Sequence, residues 1–324
     1  MKRLISLLLC ALLIVPALAE DAPDFEPIPW DIKVSPNLPN PDCYLPNNGG
    51  YHDDSIDIQI NVTYWTQDLQ QVDAPGEGTT TVMSARVKLT DVSQFRTGFA
   101  NKYPSKQARH VNDMTKRFNA VMGIDGDYWL YHEQGIVVRN GQTLRMRPHK
   151  GRDELIVDEN GDFHLITCTT QAKWDEYIAG GGTVLHAFCF GPALVVDGVP
   201  LTSLDDVTID NGKAKKAQRM VIGQIGKLEY LILTNEGPES TAPKSVGFDL
   251  VQMANLCVQF GLNNAYNLDG GSSSTIALNN QKINSPSSHK NRMVGDCIWF
   301  ATLVKEETWR EEESVQTVEV EENK

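Results

Sequence analysis

The segment Asn267-Leu268-Asp269-Gly270-Gly271-Ser272-Ser273-Ser274-Thr275 sets one carboxylate, two glycines and a row of hydroxyls between two apolar runs. The runs on either side, Ala265 to Leu268 and Ile276 to Leu278, are typical of short buried strands. Glycines permit a sharp turn whose N–H groups approach a bound group, and hydroxyls add small donors and acceptors. The pattern favours a site for an oxygen-rich ligand such as a sugar or phosphate. A turn whose Asp caps its own backbone is the open alternative.

The same arrangement of a strand followed by Asp-Gly occurs earlier in the chain. Ala120 to Ile124 has a strand composition and leads directly into Asp125-Gly126-Asp127-Tyr128-Trp129. Apolar residues at helical spacing predict a helix over 105–119 before this strand and another over 246–260 before Asp269, with Gly261 as its cap. Strand-type alternation is found at 57–64, and 80–89 is a second strand candidate.

Turn dipeptides between apolar runs predict hairpins in the middle of the chain. Asn140-Gly141, Asn160-Gly161 and Asp197-Gly198 each separate two short apolar segments, as turns between antiparallel strands do. Hairpins around two amphipathic helices indicate an α+β fold, with a curved mixed or antiparallel β-sheet and two main packing helices.

The ends of the chain differ in composition from its middle. Lys2 and Arg3 precede an apolar run and a small-residue motif, which predicts a signal peptide over 1–19, cleavage after Ala19 and export from the cytoplasm. Residues 20–79 are a Pro/Asn-rich lead-in with a first strand, 80–304 form the main domain, and 305–324 are an acidic tail. No second apolar run is long enough for a membrane span.

The charge and cysteine content exclude several partners. Lys and Arg total 29 against 42 Asp and Glu, which argues against nucleic acid and anionic membranes. The cysteines of the mature chain are odd in number and widely spaced, which indicates neither a disulfide scaffold nor a CxxC metal site, although one disulfide involving Cys43 stays open. No histidine spacing matches a zinc site, and we expect no metal and no cofactor.

Acidic and basic residues at strand ends are candidates for catalysis. Asp125, Asp127 and Asp269 can divide proton transfer and attack at a glycosidic bond, whereas each alone also suits a capping role. Arg219 and Arg292 each begin a short apolar run, where a guanidinium can hold a phosphate, with a surface ion pair as the alternative.

In order along the chain, several segments together resemble the phosphodiester glycosidase family. They are Gly123 to Tyr128, Phe190 to Leu194 with Asp197-Gly198, Arg219 to Gly223, the helix ending at Gly261, Asn267 to Ser274, and Arg292 to Asp296. The resemblance covers roughly residues 80 to 304. Asp125 stands where family members commonly carry Asn, and Ser272 where a third Gly is common.

The resemblance implies hydrolysis of a sugar-1-phosphodiester between the anomeric carbon and the phosphate oxygen. Because phosphate is a good leaving group, the barrier is mostly oxocarbenium charge and anion placement, which a carboxylate and arginines can supply. The predicted catalytic residues are Asp269, Asp127 and Arg219. The predicted substrate-binding residues are Asp125, Tyr128, Gly191, Glu236, Gly270, Gly271, Ser272 and Arg292.

Two other functions are compatible with the same residues. A non-catalytic glycan-binding module would also use hydroxyl-rich turns and aromatic side chains such as Tyr128 and Trp129. The second alternative is an accessory protein of envelope polysaccharide assembly. The joint presence of Asp127, Asp269, Arg219 and Arg292 favours an enzyme whose partner is a glycan or sugar-phosphodiester substrate.

Overall fold

The computed structural model describes residues 39–205, 215–238, 240, 244–284 and 291–303. The predicted signal peptide, residues 20–38 of the lead-in and the acidic tail lie outside these residues. Within the described part of the chain, no helix has the length and apolar character needed to cross a membrane.

Strands dominate the described residues. The helices are α1 (Val111–Arg117), α2 (Gln171–Ala179) and α3 (Leu250–Gln259). In chain order the strands are β1 (Tyr44–Leu45), β2 (Gly50–His52), β3 (Ile56–Trp65), β4 (Gln71–Val72), β5 (Thr80–Leu89), β6 (Phe95–Phe99), β7 (Met122–Asp125), β8 (Gly135–Arg139), β9 (Gln142–Arg147), β10 (Glu154–Val157), β11 (Phe163–Ile166), β12 (His186–Phe188), β13 (Ala193–Val196), β14 (Val199–Pro200), β15 (Arg219–Gly226), β16 (Glu229–Asn235), β17 (Asn264–Leu268), β18 (Ile276–Leu278), β19 (Gln281–Lys282) and β20 (Asp296–Phe300).

The described strands form three antiparallel sheets. The first has the order β1-β2-β3-β5-β16-β15-β17-β13-β14, with β4 paired to β3. The second has the order β11-β10-β12-β8-β9, and the third β19-β18-β7-β20-β6. The prediction of antiparallel pairing is confirmed, and the predicted hairpins β8–β9, β10–β11 and β13–β14 are present.

The helices are shorter than predicted. Residues 105–110 are not helical, because the Arg109 backbone instead forms a strand-like bridge with Val294. α3 begins at Leu250, since Gly247 has a φ of 82° and the Asp249 carboxylate caps the helix by accepting from the N–H of Gln252. With α2, the described residues contain three helices in place of the two main ones predicted.

The central strands β15 and β16 of the first sheet are mostly buried on both faces. Met220 and Ile222 of β15 face a core shared with the second and third sheets, while Val221 between them packs against α3. This explains why β15 and β16 are continuous apolar runs without clean alternation. The lead-in strand β3 pairs with β5 along its whole length, and Ile56 and Ile58 enter the shared core.

Ends of strands from all three sheets meet at one place. Asp125 ends β7 and Asp296 begins β20 in the third sheet, Arg139 ends β8 in the second, and Asp269 follows β17 in the first. Strand ends are where loops leave a rigid scaffold and where functional side chains collect.

Candidate active site

The two Asp-Gly segments found in the sequence are hydrogen-bonded to each other in the structure. The N–H of Asp269 donates to the carbonyl of Gly126 at 3.3 Å, and the N–H of Thr275 donates to Asp125 Oδ1 at 2.8 Å. Burial raises the pKa of both Asp125 and Asp269, and the charge of Asp269 adds to the first shift and that of Asp127 to the second. The three predicted carboxylates therefore share one buried cluster.

The Gly270-Gly271-Ser272 turn is shaped by close backbone contacts. A Cβ on Gly270 would lie 2.9 Å from the carbonyl oxygen of Gln218, and Gly271 has a φ of 62°, so both positions favour glycine. The N–H of Gly271 donates to Gln218, and the Ser272 carbonyl accepts from the N–H of Arg292. Ser272 does not have a positive φ, so a side chain is tolerated where a third glycine is common.

Asp269 belongs to the same buried cluster and is 7% exposed. Its Oδ1 accepts from the N–H of Gly270 at 2.9 Å. Burial raises the pKa of Asp269 to about 6, against the lowering influence of Ser273 and Arg292. With a pKa of about 6 the charged form of the carboxylate predominates at neutral pH, and the charge of Arg292 acts on it.

The predicted phosphate ligand Arg292 lies on two tyrosine rings. Its guanidinium carbon is 5.0 Å from the Tyr128 ring centroid and 5.2 Å from that of Tyr131, and Nη2 donates to the Tyr128 hydroxyl at 2.9 Å. Stacking holds a guanidinium in place while leaving other N–H groups for a ligand. The group of Tyr128, Tyr131 and Arg292 is called the tyrosine–arginine stack below.

Asp127 is held from several sides. Its Oδ2 accepts from Arg139 Nη2 at 3.0 Å and from the N–H of Cys189 at 3.2 Å, and its Oδ1 accepts from the N–H of Trp129 at 3.0 Å. Arg139 Nη2 also donates to Asp296 Oδ2 at 2.7 Å. A carboxylate with this many donors is well placed to orient its surroundings.

Arg139 and Asp296 are site residues that sequence reasoning missed. Arg139 is 4% exposed and follows the apolar residues of β8, while Asp296 is completely buried and packs against Gly126. Burial and the charge of Asp127 raise the pKa of Asp296 to about 8, although Arg139 lowers it. A charged residue directly joined to an apolar strand was the available signal in both cases.

Asp125 has a different environment from its neighbours. It is fully buried, and its Oδ2 has no hydrogen-bond partner among the described residues. Burial first, and then the charge of Asp269, raise the pKa of Asp125 well above its usual range. This environment favours the protonated form, and a protonated carboxyl resembles the Asn common at this position in size and charge.

Arg219 borders the glycine turn, but its described contacts point to another element. Its Cα lies 3.9 Å from a Cβ built on Gly270. Its guanidinium donates from Nε to the Phe248 carbonyl at 3.4 Å and from Nη2 to the Lys215 carbonyl at 2.6 Å. Burial lowers the pKa of Arg219 to about 10, and Asp249 at the start of α3 opposes this shift.

Gly191 and Glu236 lie on the borders of the cluster. Gly191 has a φ of 73°, and its carbonyl accepts from Asn267 Nδ2 at 2.8 Å, which ties this turn to the strand before Asp269. Glu236 follows β16 and is 8% exposed. Burial lowers the pKa of Lys282, and the charges of Asp125 and Glu236 oppose this shift. The structure thus places Glu236 next to the cluster through Lys282.

An open cleft adjoins the tyrosine–arginine stack. It has a volume of about 720 Å³ and is lined by Tyr103, Pro104, Lys106, residues 129–133 and residues 144–147. Tyr131 belongs to both the stack and the cleft wall and is 54% exposed. We call this space the loop cleft.

Other features of the described residues concern metals and thiols. No group of three or more His, Cys, Asp or Glu side chains in the described ranges could hold a metal ion. Cys43, Cys168, Cys189, Cys257 and Cys297 are free thiols, and the last three are buried.

Comparison with protein families gives one match over more than half of the chain. The family model described as phosphodiester glycosidase matches residues 118–301, a range that contains every predicted site residue. A curated relative is the SPbeta prophage-derived uncharacterized protein YomE of Bacillus subtilis (strain 168), 26% identical over 193 residues. The match covers 58% of this chain and 29% of that protein, so the chain spans less than a third of its relative.

Two solved structures share the fold. The catalytic domain of zebrafish N-acetylglucosamine-1-phosphodiester alpha-N-acetylglucosaminidase, auto-inhibited by its pro-peptide, aligns with a TM-score of 0.59 at 14% identity, covering 78% of this chain and 86% of that one. A hypothetical protein from Synechocystis aligns with a TM-score of 0.51 at 13% identity, covering 77% of this chain and 62% of that one.

Proposed function

This chain belongs to the phosphodiester glycosidase family, and on that premise we propose that it hydrolyses sugar-1-phosphodiesters of envelope or host glycans. The bond cut is the one between the anomeric carbon and the phosphate oxygen, so that free sugar is released from the phosphate. The observation that carries the proposal is the placement of a charged carboxylate, Asp269, beside a guanidinium, Arg292, and within a buried cluster.

The two charges suit the two halves of the reaction. As the glycosidic bond breaks, positive charge develops at the anomeric carbon, and Asp269 would stabilise or attack that carbon. The phosphate leaves as an anion, which Arg292 on its tyrosines would hold with a planar pair of N–H groups. Gly270, Gly271 and Ser272 would bring backbone and hydroxyl donors to the same ligand.

The other site residues would position this pair. We assign Asp127 to orientation of the segment 125–129, because its oxygens already accept from Arg139, Cys189 and Trp129. Asp125 would act as a neutral hydrogen-bonding group. Gly191, Glu236 and Arg219 would shape the borders, with Arg219 next to the glycine turn and tested below for a role in phosphate binding.

The cell compartment is a second part of the proposal. The basic, apolar and small-residue order at 1–19 supports export, and sugar-1-phosphodiesters of envelope glycans occur outside the cytoplasm. Sequencing of the mature N-terminus tests this point, with a new terminus directly after Ala19 as the expected result.

Incubation of the purified protein with a panel of sugar-1-phosphodiesters tests the activity. We expect release of free sugar from at least one member of the panel, and no release by the Asp269→Asn variant. A glycan-binding module, which the exposed ring of Tyr131 would also suit, predicts binding without release by either protein. That result would remove the enzymatic proposal.

A further inference from the structure

The loop cleft combines aromatic surface with cations in a chain that is acidic as a whole. The formal net charge of the protein is −13, yet the cleft is lined by Lys106, Arg145 and Arg147 against the single carboxylate of Glu133. A local excess of cations on an acidic protein attracts anions to that place and not to the rest of the surface.

The three cations of the loop cleft have different tasks. The guanidinium of Arg145 is hydrogen-bonded within the wall of the cleft. Its Nε donates to the Gly135 carbonyl at 3.2 Å, Nη1 to the Trp129 carbonyl at 3.2 Å and Nη2 to the Gln134 carbonyl at 2.8 Å. These bonds fix the loop that carries Tyr131. Lys106 and Arg147 are exposed and keep their charges at the surface of the cleft.

The ion pair between Arg147 and Glu133 leaves the Arg147 guanidinium available for another anion. Its Nη1 lies 3.9 Å from Glu133 Oε2, and the two side chains are 65% and 91% exposed. A long, solvated pair of this kind contributes little and exchanges readily for a stronger anion.

The loop cleft is continuous with the site at Tyr131. The same ring that lines the cleft lies under Arg292, which we propose as the ligand of the reacting phosphate. The phosphate leaves together with the group esterified to it, and that group could extend past Tyr131 into the loop cleft. The volume of about 720 Å³ is within the range of pockets that hold small organic ligands.

We propose that the loop cleft is a subsite for an anionic leaving group, in which a sugar ring stacks on Tyr131 and a second phosphate binds Lys106 and Arg147. The inference rests on the proposed function and narrows its substrate class to glycans whose units are joined repeatedly through phosphodiesters. In such a chain, the next phosphate lies one sugar unit beyond the bond being cut. Aromatic stacking with a flanking cation is a general way to hold a charged sugar.

The first arm of the test measures binding without turnover. Sodium tripolyphosphate is titrated calorimetrically into the full chain carrying Arg292→Ala, which silences the proposed reaction site. We expect binding that weakens at high salt, and on the order of tenfold weaker binding when Lys106→Ala and Arg147→Ala are added. The matched control is Lys88→Ala with Lys227→Ala, which removes the same charge from exposed lysines at the C-terminal ends of β5 and β15.

The second arm measures turnover. The propyl and 3-phosphopropyl esters of whichever sugar 1-phosphate is hydrolysed are compared. We expect a lower KM for the phosphorylated ester, lost in the Lys106→Ala/Arg147→Ala protein but kept in the control. If both esters have equal KM in the wild type, or if the two double variants behave alike, the subsite is refuted.

The two arms separate the inference from the function it rests on. Tripolyphosphate binding that depends on Lys106 and Arg147, without hydrolysis of any phosphodiester, supports the anion subsite and removes the proposed activity. Hydrolysis with no dependence on Lys106 and Arg147 in either arm supports the activity and removes the subsite.

Discussion

Asp127 and Asp269 both follow an apolar strand and stand next to glycine, yet the structure gives them opposite surroundings. Asp127 is enclosed by Arg139 and by the N–H groups of Cys189 and Trp129. Asp269 accepts from its neighbour Gly270 and faces Arg292. Asp127 and Asp296, the closed pair, share the buried cation Arg139, whereas Asp269, the open carboxylate with fewer donors, is near Arg292, which is itself partly accessible.

The difference leads us to assign one residue type to two roles within one cluster, structural for Asp127 and chemical for Asp269. A carboxylate saturated with donors stabilises the arrangement around it and gains nothing from reacting. A carboxylate with fewer donors keeps its charge available for a substrate. We therefore expect mutation of the open residue to affect turnover and mutation of the closed pair to affect folding.

Asp269→Asn should give the largest change in activity. The substitution keeps size and removes the charge, so a direct role at the anomeric carbon predicts a barrier increase of about 4 kcal/mol, or roughly a thousandfold loss of kcat. For the wild type, the pKa of about 6 predicts a rate that falls as the pH drops below that value, because protonation removes the same charge. Initial rates over pH check both statements.

A melting curve on the same variant distinguishes catalysis from folding. We expect a cooperative transition close to that of the wild type. A near-normal rate in the folded variant would show that Asp269 is only a turn residue and would end the distinction between the open and closed carboxylates.

Arg139→Met should give the largest change in stability. Removing the cation leaves Asp127 and Asp296 buried without their partner, which predicts a loss of about 3–5 kcal/mol in the free energy of unfolding. Arg86→Met is the matched control, since Arg86 pairs with Glu229 while its side chain is 55% exposed. We expect a loss of at most about 1 kcal/mol there, by urea unfolding at neutral pH. Equal losses in the two variants would contradict a structural role for the closed pair.

The sequence predicted the elements better than their relations in space. Hairpins and α3 follow from turn dipeptides and helical periodicity, which are local properties. β12 (His186–Phe188) and β6 (Phe95–Phe99) were missed because they are short and carry no clear alternation. Their partners supply the hydrogen bonds that define them, and these partners are far away in the sequence.

The candidate site was predictable in residue types and only partly in geometry. Asp125, Asp127, Asp269 and Arg292 stood out because each joins a strand candidate. The hydrogen-bond partners of these residues depend on how the three sheets pack together. Arg139 of the second sheet donates to Asp127, which follows a strand of the third, and the sequence does not show this contact. The direction of Arg219 likewise follows from its alternation with Met220 along β15 and not from its position at a strand start.

Arg292→Lys and Arg219→Lys test which arginine holds the phosphate. Lysine keeps the charge and loses the planar fork, so a phosphate ligand predicts weaker substrate binding with partial activity. We expect about a tenfold rise in KM for Arg292→Lys. For Arg219→Lys we expect a smaller rise in KM with some loss of stability, because this guanidinium also donates to Phe248 and Lys215. A larger rise in KM for Arg219→Lys than for Arg292→Lys would indicate that Arg219, and not Arg292, binds the phosphate.

Asp125→Asn should give the smallest change in activity and a distinct change in pH dependence. Because the pKa of Asp125 is raised well above 3.8, the folded state holds a proton that the unfolded state has released above that pH. The free energy of unfolding therefore decreases as the pH rises through this window. Asparagine does not titrate, so we expect the free energy of unfolding of the variant, measured with urea, to decrease less steeply between about pH 5 and 8. The remaining slope comes from groups such as Asp296.

Asp197→Asn, at an exposed turn, is the control for loss of a surface carboxyl. Turnover at neutral pH should stay within about threefold of the wild type, since the amide matches a neutral acid in shape and charge. An unchanged slope, or a large loss of turnover, would show that Asp125 is ionised and belongs with Asp269 among the charged groups of the site.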